Sequence, residues 1–553
     1  MSARSARSPG SARAQPSNGT IDGVGRSLCR RWKRVPESQV DAEVAFALFC
    51  RTPEEGAQEA FSRLAGSVWS AGRPTAGAVP WVRKALANLE QCPPGHQARL
   101  LLLLGLLAET SPPPGGADVR GEIRGGLDAC LSLLTSYAAR PGREDGGISG
   151  PVPALLYLLA QFPEEADRIL VSTRAVALPE EDRARLERCL ARRDADVPAL
   201  GRVWPTPAGW VLTEEEERRD RAWAAQLDDA TAEKFWRKDT RSLLAYSGAK
   251  AYGALSVGMS GLSRGTGGEG TATSQSRPEP VGGAAATAVP AGPLGGHADV
   301  IRCPACRHRL GEEPTGGVRC SGCGARYSAR RGYLDLTRVA DGTADVIAAN
   351  APLYLPRYES LLRPSFLRVH GINWNDAITV EAEHQYLRDH VRPVGGPVLD
   401  LAAGAGSWTR TLARSAGENQ VIALDLATDM LDRLRATQPG VLALRGSAVE
   451  LPFGDASLGA VNCWNALQAM DDPEAAIREV GRCLHPGGTF TVLTFQPARD
   501  PVYRHFQAMI EDCLGVRSFD PEALGSSLEA AGMTVRETTA PGAFLLLTAV
   551  REG

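Results

Sequence analysis

Residues 398–407 read Val-Leu-Asp-Leu-Ala-Ala-Gly-Ala-Gly-Ser, and this stretch decides the fold. Four residues of strand character are followed by small residues that let the backbone approach a ligand closely, and a helical pattern begins at Thr409. A strand, a glycine-rich turn and a helix in this order are typical of the first unit of a nucleotide-binding α/β sheet.

The second strand of this sheet, Val421–Asp425, ends in an acid. A carboxylate at the tip of such a strand can accept hydrogen bonds from both hydroxyls of a ribose. Further strands at 441–445, 458–463 and 489–495 alternate with helices. This alternation predicts an α/β fold, a Rossmann-like, doubly wound parallel sheet that binds its ligand at the carboxyl ends of the strands.

Residues 395–496 resemble class I S-adenosylmethionine-dependent methyltransferases of the type 11-like group. Residues 400–406 match the family's first motif, Asp-x-Gly-x-Gly-x-Gly, apart from its first glycine. Residues 451–455 (Leu-Pro-Phe-Gly-Asp) and 484–488 (Leu-His-Pro-Gly-Gly) match two further motifs. The resemblance implies a methyltransferase that uses S-adenosylmethionine.

The resemblance also implies roles for individual residues. Asp425 matches the family's ribose-binding acid, and Leu426 matches the apolar residue beside the adenine. Ala402 replaces the first motif glycine, and Ser447 stands where the family usually has an acid that accepts from the adenine amino group. The implied cofactor-binding residues are Asp400, Ala402, Gly404, Gly406, Asp425, Leu426, Ser447, Ala448 and Asn465.

A pair of Cys-x-x-Cys motifs lies upstream of this domain, at Cys303 and Cys306 and at Cys320 and Cys323. Two residues between paired thiols let both sulfurs reach one tetrahedral ion, and a glycine after the second pair permits the tight turn. Four thiolates leave no open position, so we expect a zinc ribbon with a structural zinc, which iron could replace.

A zinc ribbon followed by a methyltransferase domain is similar to bacterial rRNA guanine-N1 methyltransferases. It is also similar to a group of uncharacterised plastid and bacterial methyltransferases, which share a segment like residues 363–367. Together the resemblance covers residues 301 to about 550, and the N-terminal helical region lies outside it.

Helical periodicity and breaker residues indicate a separate all-α domain before the ribbon, either a solenoid of helical repeats or a bundle. A capping box at Thr213–Glu216 predicts the start of one of its helices. Both a structural role and binding of a protein or peptide fit this region.

The sequence divides into six predicted parts. They are a disordered tail (1–38), the all-α domain (39–255), a flexible linker (256–298), the zinc ribbon (299–338), a helical cap or substrate region (339–394) and the methyltransferase domain (395–553).

Composition limits the partners. The 553 residues carry a net charge of −3, which argues against a polycationic nucleic-acid binder, although residues 301–338 hold eight arginines and three acids. The apolar run at 100–108 is too short to span a bilayer, so we expect no membrane insertion. Twelve cysteines are too few for a disulfide scaffold, which favours the cytoplasm.

These features leave three functions open. The first is a methyltransferase for a small molecule, such as a secondary metabolite or a quinone-like acceptor. The second is an rRNA or tRNA base methyltransferase, and the third is a non-catalytic interaction protein with a degenerate methyltransferase fold. The sequence identifies no catalytic residue; the candidate bases are His370, His384, His390, His485 and His505.

Overall fold

The computed structural model describes residues 41–70, 72–110, 118–138, 150–193, 210, 212–257, 292–314, 316–338 and 357–553. The predicted tail and most of the predicted linker lie outside these residues. Residues 256 and 257 of the predicted linker are helical, and its other described residues, 292–298, include Leu294, which is only 2% exposed.

Helices dominate residues 41–257, which we call the helical block. Its α-helices are α1 (Ala42–Arg51), α2 (Ala57–Val68), α3 (Ala78–Asn88), α4 (Pro94–Glu109), α5 (Val119–Gly125), α6 (Leu127–Ala138), α7 (Val152–Leu159), α8 (Ala166–Thr173), α9 (Glu180–Leu190), α10 (Glu214–Ala224) and α11 (Asp229–Val257). A short hairpin, β1 (Trp69–Ser70) and β2 (Arg73–Pro74), follows α2. The apolar residues at 44–61 keep a helical spacing that predicts one helix, but Pro53 interrupts it, and the structure has two helices, α1 and α2. Within the described residues, no helix is both long and apolar enough to cross a membrane.

The rest of the described chain forms one eleven-stranded sheet with helices on its faces. Its strands are β3 (Leu310–Glu312), β4 (Gly317–Cys320), β5 (Arg326–Arg330), β6 (Tyr333–Asp335), β7 (Val398–Leu401), β8 (Val421–Asp425), β9 (Leu442–Arg445), β10 (Leu458–Trp464), β11 (Leu484–Phe495), β12 (Met533–Thr539) and β13 (Phe544–Arg551). Its α-helices are α12 (Arg363–His370), α13 (Val380–His390), α14 (Ser407–Ala416), α15 (Thr428–Thr437), α16 (Pro473–Cys483), α17 (Pro501–Leu514) and α18 (Pro521–Ala530).

The strand order is β12-β13-β11-β10-β7-β8-β9-β6-β5-β4-β3. The six strands from β11 to β6 are parallel, and the strands at both ends of the sheet are antiparallel. The Rossmann-like fold is therefore confirmed. The carboxyl ends of β7, β8, β9 and β10 meet at one edge, which we call the carboxyl edge.

The cysteine-bearing segment, residues 299–338, continues the sheet rather than standing apart from it. Its strand β6 pairs in parallel with β9, with Leu334 opposite Leu444 and Asp335 opposite Arg445. The Leu336 N–H donates to the Arg445 carbonyl at 2.8 Å, which extends this pairing. We call residues 299–338 the cysteine ribbon.

The helical block shares one apolar core with the sheet domain. Helix α11 packs along α17, and the aromatic rings of Tyr252 and Tyr503 lie 5.4 Å apart across this contact. At its edge, Arg241 forms an ion pair with Asp512 at 2.6 Å. The prediction of a separate all-α domain is not confirmed, because burial of the apolar faces of α4, α7 and α11 continues into α12 and α17.

Two glycines on α11 permit this close packing. A Cβ atom at Gly248 would lie 2.2 Å from a ring carbon of Phe506, and one at Gly253 would lie 2.6 Å from the Trp374 ring. Contacts this short do not occur between folded side chains, so glycine is required where α11 meets these rings.

We predict that Gly248→Val lowers the free energy of unfolding by about 1–3 kcal/mol, because the added methyl groups overpack the contact with Phe506. Gly66→Ala is the control: Gly66 is exposed in α2 with no heavy atom near its Cβ position, and the change should stabilise by up to about 1 kcal/mol. Urea unfolding measures both. A Gly248→Val protein as stable as the original would contradict the packing of α11 on α17.

Candidate functional site

The carboxyl edge is organised by the Asp425 carboxylate at the end of β8. One oxygen accepts the Gly404 N–H and the other accepts the Ala427 N–H, each at 2.8 Å. These bonds join the glycine-rich turn after β7 to the start of α15. Burial raises the pKa of Asp425 above its ordinary value, while the two backbone donors oppose this shift.

The nine implied cofactor-binding residues all lie at the carboxyl edge, but they differ in exposure. Asp400 is buried at 2% exposure, and Gly406 is buried as well. The other seven are partly exposed, and we call the surface that they form at the carboxyl edge the cleft: Ala402, Gly404, Asp425, Leu426, Ser447, Ala448 and Asn465.

Asp400 lies beneath this cleft. Its carboxylate accepts hydrogen bonds from the Thr409 hydroxyl at 2.5 Å and from the Asn462 side-chain amide at 2.8 Å. Burial raises the pKa of Asp400 to about 6, although these two donors lower it. The described contacts therefore tie β7 to α14 and β10, and they give Asp400 a role in holding the turn.

The glycines of the turn differ in their surroundings. A Cβ atom at Gly404 would meet nothing within 4 Å, so this face of the turn is open to a ligand. At Gly406, which caps α14, a Cβ atom would lie 2.3 Å from the Gln438 side chain. Ala402 has a positive φ of 56°, a conformation that costs a non-glycine residue energy and explains why the family has glycine there.

Arg445 connects the turn at 446–448 to the cysteine ribbon. Its guanidinium lies 3.1 Å from the Asp335 carboxylate of β6 and donates at 3.0 Å to the carbonyl of Leu426. The Gly446 N–H donates to the Asp425 carbonyl at 3.1 Å, which places Ser447 beside β8. Sequence reasoning missed Arg445, because its two partners lie in distant segments.

Residues 357–362, which we call the strap, cross the carboxyl edge. Their main part is a π-helical turn, Tyr358–Leu362, a conformation often found at functional sites. The Ser407 hydroxyl donates to the Glu359 carboxylate at 2.5 Å, and the Tyr358 side chain lies beside that of Asn465. Met430 at the start of α15 packs in the apolar cluster around Leu362. The strap thus contacts the start of α14, the residue that follows β10 and the start of α15.

The residues after the strap are held by a buried ion pair. Arg363 pairs with Glu383, and both side chains are less than 5% exposed. The Trp464 indole N–H donates to the same Glu383 carboxylate at 2.7 Å. These contacts fix α12 and α13 against the end of β10.

The five candidate histidine bases differ in burial and in their partners. His370 is fully buried beside the Phe495 ring, and burial lowers its pKa to about 4. His485 lies at the amino end of β11, on the opposite edge of the sheet. The other three have the following partners: His384 bonds the Thr411 hydroxyl, His390 stacks on Tyr386, and His505 faces Glu109 of the helical block.

The four cysteines of the ribbon converge. Their sulfur atoms all lie within 4.8 Å of one another, with 3.7 Å between Cys303 and Cys323 and 3.3 Å between Cys306 and Cys320. Sulfurs at ~2.3 Å from a tetrahedral zinc lie roughly 3.8 Å apart, so the donor set fits this ion. Burial opposes ionisation of the Cys320 thiol, but the N–H groups of residues 322 and 323 outweigh it and lower its pKa.

Three arginines of the ribbon form ion pairs with the sheet domain. Arg307 pairs with Glu479 at 3.3 Å, and Arg338 pairs with Glu450 at 3.0 Å. Arg331 pairs with Asp432, and Arg326 pairs with Glu313 inside the ribbon. Half of the eight arginines behind the local positive charge are therefore neutralised, three of them by carboxylates of the sheet domain.

A doubly wound sheet with an acid at the tip of β8 and an open glycine turn after β7 defines a Rossmann-like cofactor-binding protein. A family model described as "Methyltransferase domain" matches residues 398–488. These residues are a class I S-adenosylmethionine-dependent methyltransferase segment, and the resemblance seen in the sequence is confirmed.

Several known proteins are similar to parts of this chain. An uncharacterised chloroplastic methyltransferase of Arabidopsis thaliana is 28% identical over 279 residues, which are 45% of this chain and 77% of that protein. A ubiquinone/menaquinone biosynthesis C-methyltransferase of Legionella pneumophila is 34% identical over 145 residues, 23% of this chain and 58% of that protein. A solved S-adenosylmethionine-dependent methyltransferase of Mesorhizobium loti aligns with 30% of this chain and 96% of its own, at 23% identity and a TM-score of 0.27.

We predict that Ala402→Gly raises the free energy of unfolding by up to about 1 kcal/mol, because glycine adopts the positive φ without strain. Ala403→Gly is the matched control: Ala403 is buried with an ordinary φ, so the change should destabilise by about 1 kcal/mol. Urea unfolding of the three proteins checks the order. If both substitutions lowered the free energy of unfolding by the same amount, the backbone at residue 402 would not be strained.

Proposed function

We propose that this protein transfers the methyl group of S-adenosylmethionine to a small, uncharged organic acceptor, a secondary metabolite or a quinone-like ring. The strap is the feature that supports a small molecule as the acceptor. It contacts the start of α14 and the start of α15, and its Tyr358 phenol lies beside Asn465, which follows β10. A site covered in this way suits a small planar molecule better than a folded RNA.

The residues of the carboxyl edge suit the cofactor in the following way. Asp425 would accept from the ribose hydroxyls with the lone pairs that its backbone donors leave free, and the open face of Gly404 would take the methionine part. Leu426 would pack beside the adenine. Ser447, a partly exposed hydroxyl, would accept from the adenine amino group in place of the family's acid.

Bound S-adenosylmethionine supplies an electrophilic methyl group on a sulfonium. In the proposed reaction the acceptor atom would take this methyl group as the carbon–sulfur bond breaks, and any proton on the acceptor would leave to a base or to solvent. The protein's contribution is to hold the two reactants in line and to exclude water, which is a large part of such catalysis. Tyr358 and Asn465 would orient the acceptor through hydrogen bonds.

The charges of the ribbon support the choice of acceptor. A nucleic-acid surface needs cations that remain available for phosphates. Arg307, Arg331 and Arg338 instead pair with carboxylates of the sheet domain. The name of the Legionella relative, a C-methyltransferase of ubiquinone and menaquinone synthesis, adds support for a quinone-like ring.

We predict that the protein binds S-adenosylmethionine and that Asp425→Ala weakens binding about 100-fold, because a charged acceptor of two or more hydrogen bonds is lost. Asp520→Ala is the control, since Asp520 also accepts a backbone N–H, at the start of α18 far from the carboxyl edge. Calorimetry measures the dissociation constants. Absence of binding by the unaltered protein would favour a non-catalytic methyltransferase fold.

We also propose that the four ribbon cysteines hold a structural zinc, and that this ion supports the cofactor site through the ribbon. Strand β6 is both the end of the ribbon and the neighbour of β9. Asp335 on β6 pairs with Arg445, which in turn donates to the Leu426 carbonyl. Ordering of the ribbon by a metal would therefore help to fix the residue beside the adenine.

We predict about one zinc per chain, lost on Cys320→Ser and retained on Cys50→Ser, whose exposed thiol lies in α1. Elemental analysis measures the metal. Chelation should weaken S-adenosylmethionine binding severalfold by releasing Asp335 from Arg445. Loss of zinc without any change in cofactor affinity would show that the ribbon stabilises the fold only.

A reducing compartment is part of this proposal, because four thiolates must stay reduced to bind a metal. We place the protein in the cytoplasm. The name of the Arabidopsis relative assigns that protein to the chloroplast, which makes the plastid the alternative.

A further inference from the structure

Helix α10 of the helical block begins beside the strap. Its capping box is present as the sequence predicts: the Glu216 N–H donates to the Thr213 hydroxyl, and the Thr213 N–H donates to the Glu216 carboxylate at 2.8 Å. The cap turns the Glu216 carboxylate back over the first turn of the helix. This places a fixed negative charge at the end of α10.

Arg357, the first residue of the strap, meets that charge. Its Nε atom donates to one Glu216 oxygen at 2.9 Å and its Nη2 atom to the other at 3.1 Å. Such a bidentate ion pair between a planar guanidinium and a planar carboxylate is directional as well as strong. The Glu216 side chain is only 14% exposed, so solvent screens the pair weakly.

Trp210, which precedes α10 in the chain, adds an apolar contact. Its ring packs in the cluster around Leu362 of the strap and Met430 of α15. The Arg357 guanidinium lies 5.3 Å from the centre of this ring, within the range of a cation–π contact. Trp210 and Glu216 therefore contact the strap, and Trp210 also shares an apolar cluster with Met430 of α15.

The position of α10 is itself determined by the helical block. Helices α10 and α11 form a hairpin in which the rings of Trp223 and Phe235 meet edge to face at 4.9 Å. Helix α11 then packs on α17 of the sheet domain. This chain of contacts holds Glu216 at a fixed place relative to the sheet.

We propose that Glu216 and Arg357 form a latch that positions Tyr358 and keeps the strap closed over bound S-adenosylmethionine, which gives the helical block a direct part in the methyltransferase site. The inference rests on the proposed cofactor site. Arg357 and Glu216 act through the strap and are positioning residues, because neither contacts the predicted cofactor residues.

The latch governs one end of the strap only. The other end continues into α12, where the buried pair of Arg363 and Glu383 holds it. The strap is therefore attached to the sheet domain by a fully buried ion pair and to the helical block by a more exposed one. Opening at the more exposed pair would release the cofactor without unfolding either part.

Three variants test the latch with the full-length protein. Glu216→Gln removes the charge but keeps the capping box, because glutamine also serves at this position of the cap. Arg357→Met removes the guanidinium and keeps an apolar stem, and the double variant completes a mutant cycle. Glu215→Gln is the control, since Glu215 lies on the exposed side of the same helix and pairs with Arg219.

The readouts are the dissociation rate of S-adenosylmethionine in stopped flow and hydrogen exchange of residues 357–362. Each latch variant should raise both rates about tenfold, because a charge-assisted hydrogen-bonded pair is lost. The double variant should be no worse than either single one, because all three break the same contact. Arg357→Lys keeps a positive charge, so its two rates should lie between those of the unaltered protein and those of Arg357→Met. Glu215→Gln should leave both rates unchanged.

Unchanged dissociation and exchange in Glu216→Gln and Arg357→Met would overturn the latch while leaving the proposed function intact. Additive effects of the two substitutions would also overturn it, because they would then act separately. If the unaltered protein binds no S-adenosylmethionine, the proposed function fails and the latch falls with it as a device for holding the cofactor.

Discussion

The Asp425 carboxylate is the group on which the rest of the site depends. By accepting the N–H groups of Gly404 and Ala427, it ties together the ends of β7 and β8 and the start of α15. Charge-assisted bonds of this kind are short and directional, so they hold the turn open without a ligand. The buried Asp400, bonded to Thr409 and Asn462, supports the same turn from below.

Around this centre the chain adds support from two sides. The cysteine ribbon extends the sheet beyond β9 and reaches the Leu426 carbonyl through Asp335 and Arg445. The helical block packs on α17 and reaches the strap through α10. A catalytic segment of ordinary size is thus flanked by two regions whose contacts end at the cofactor cleft. In our proposal, both regions serve methyl transfer by holding the walls of the cleft.

The local features of the fold could be predicted from the sequence because their signals are local. Strand Val421–Asp425 and the capping box at Thr213 lie where the sequence places them. The alternation of strands and helices gave the Rossmann-like class in the same way. Strand β11 begins at Leu484, five residues earlier than expected, because pairing of Leu484 with Leu458 extends it through a turn that resembles a loop.

The long-range contacts could not be predicted, since the residues that flank each partner in the sequence do not indicate which distant residue it contacts. Arg357 and Glu216 lie 141 residues apart, and Glu216 had a complete explanation as a cap residue. The predicted flexible linker at 256–298 suggested that the helical domain is independent. Gly248 and Gly253, however, let α11 pack closely against the sheet domain. The positive charge of the ribbon could not be matched to its partners from the sequence, because the carboxylates that pair with Arg331 and Arg338 lie more than 100 residues away in the chain.

Transfer of a labelled methyl group tests the central claim most directly. The protein and its Asp425→Ala variant are incubated with methyl-labelled S-adenosylmethionine and a cell extract, and the label is then separated into RNA, protein and organic-soluble small molecules. The account predicts label in the small-molecule fraction with the unaltered protein and its loss with the variant. Label in RNA or protein, or transfer that does not depend on Asp425, would contradict it.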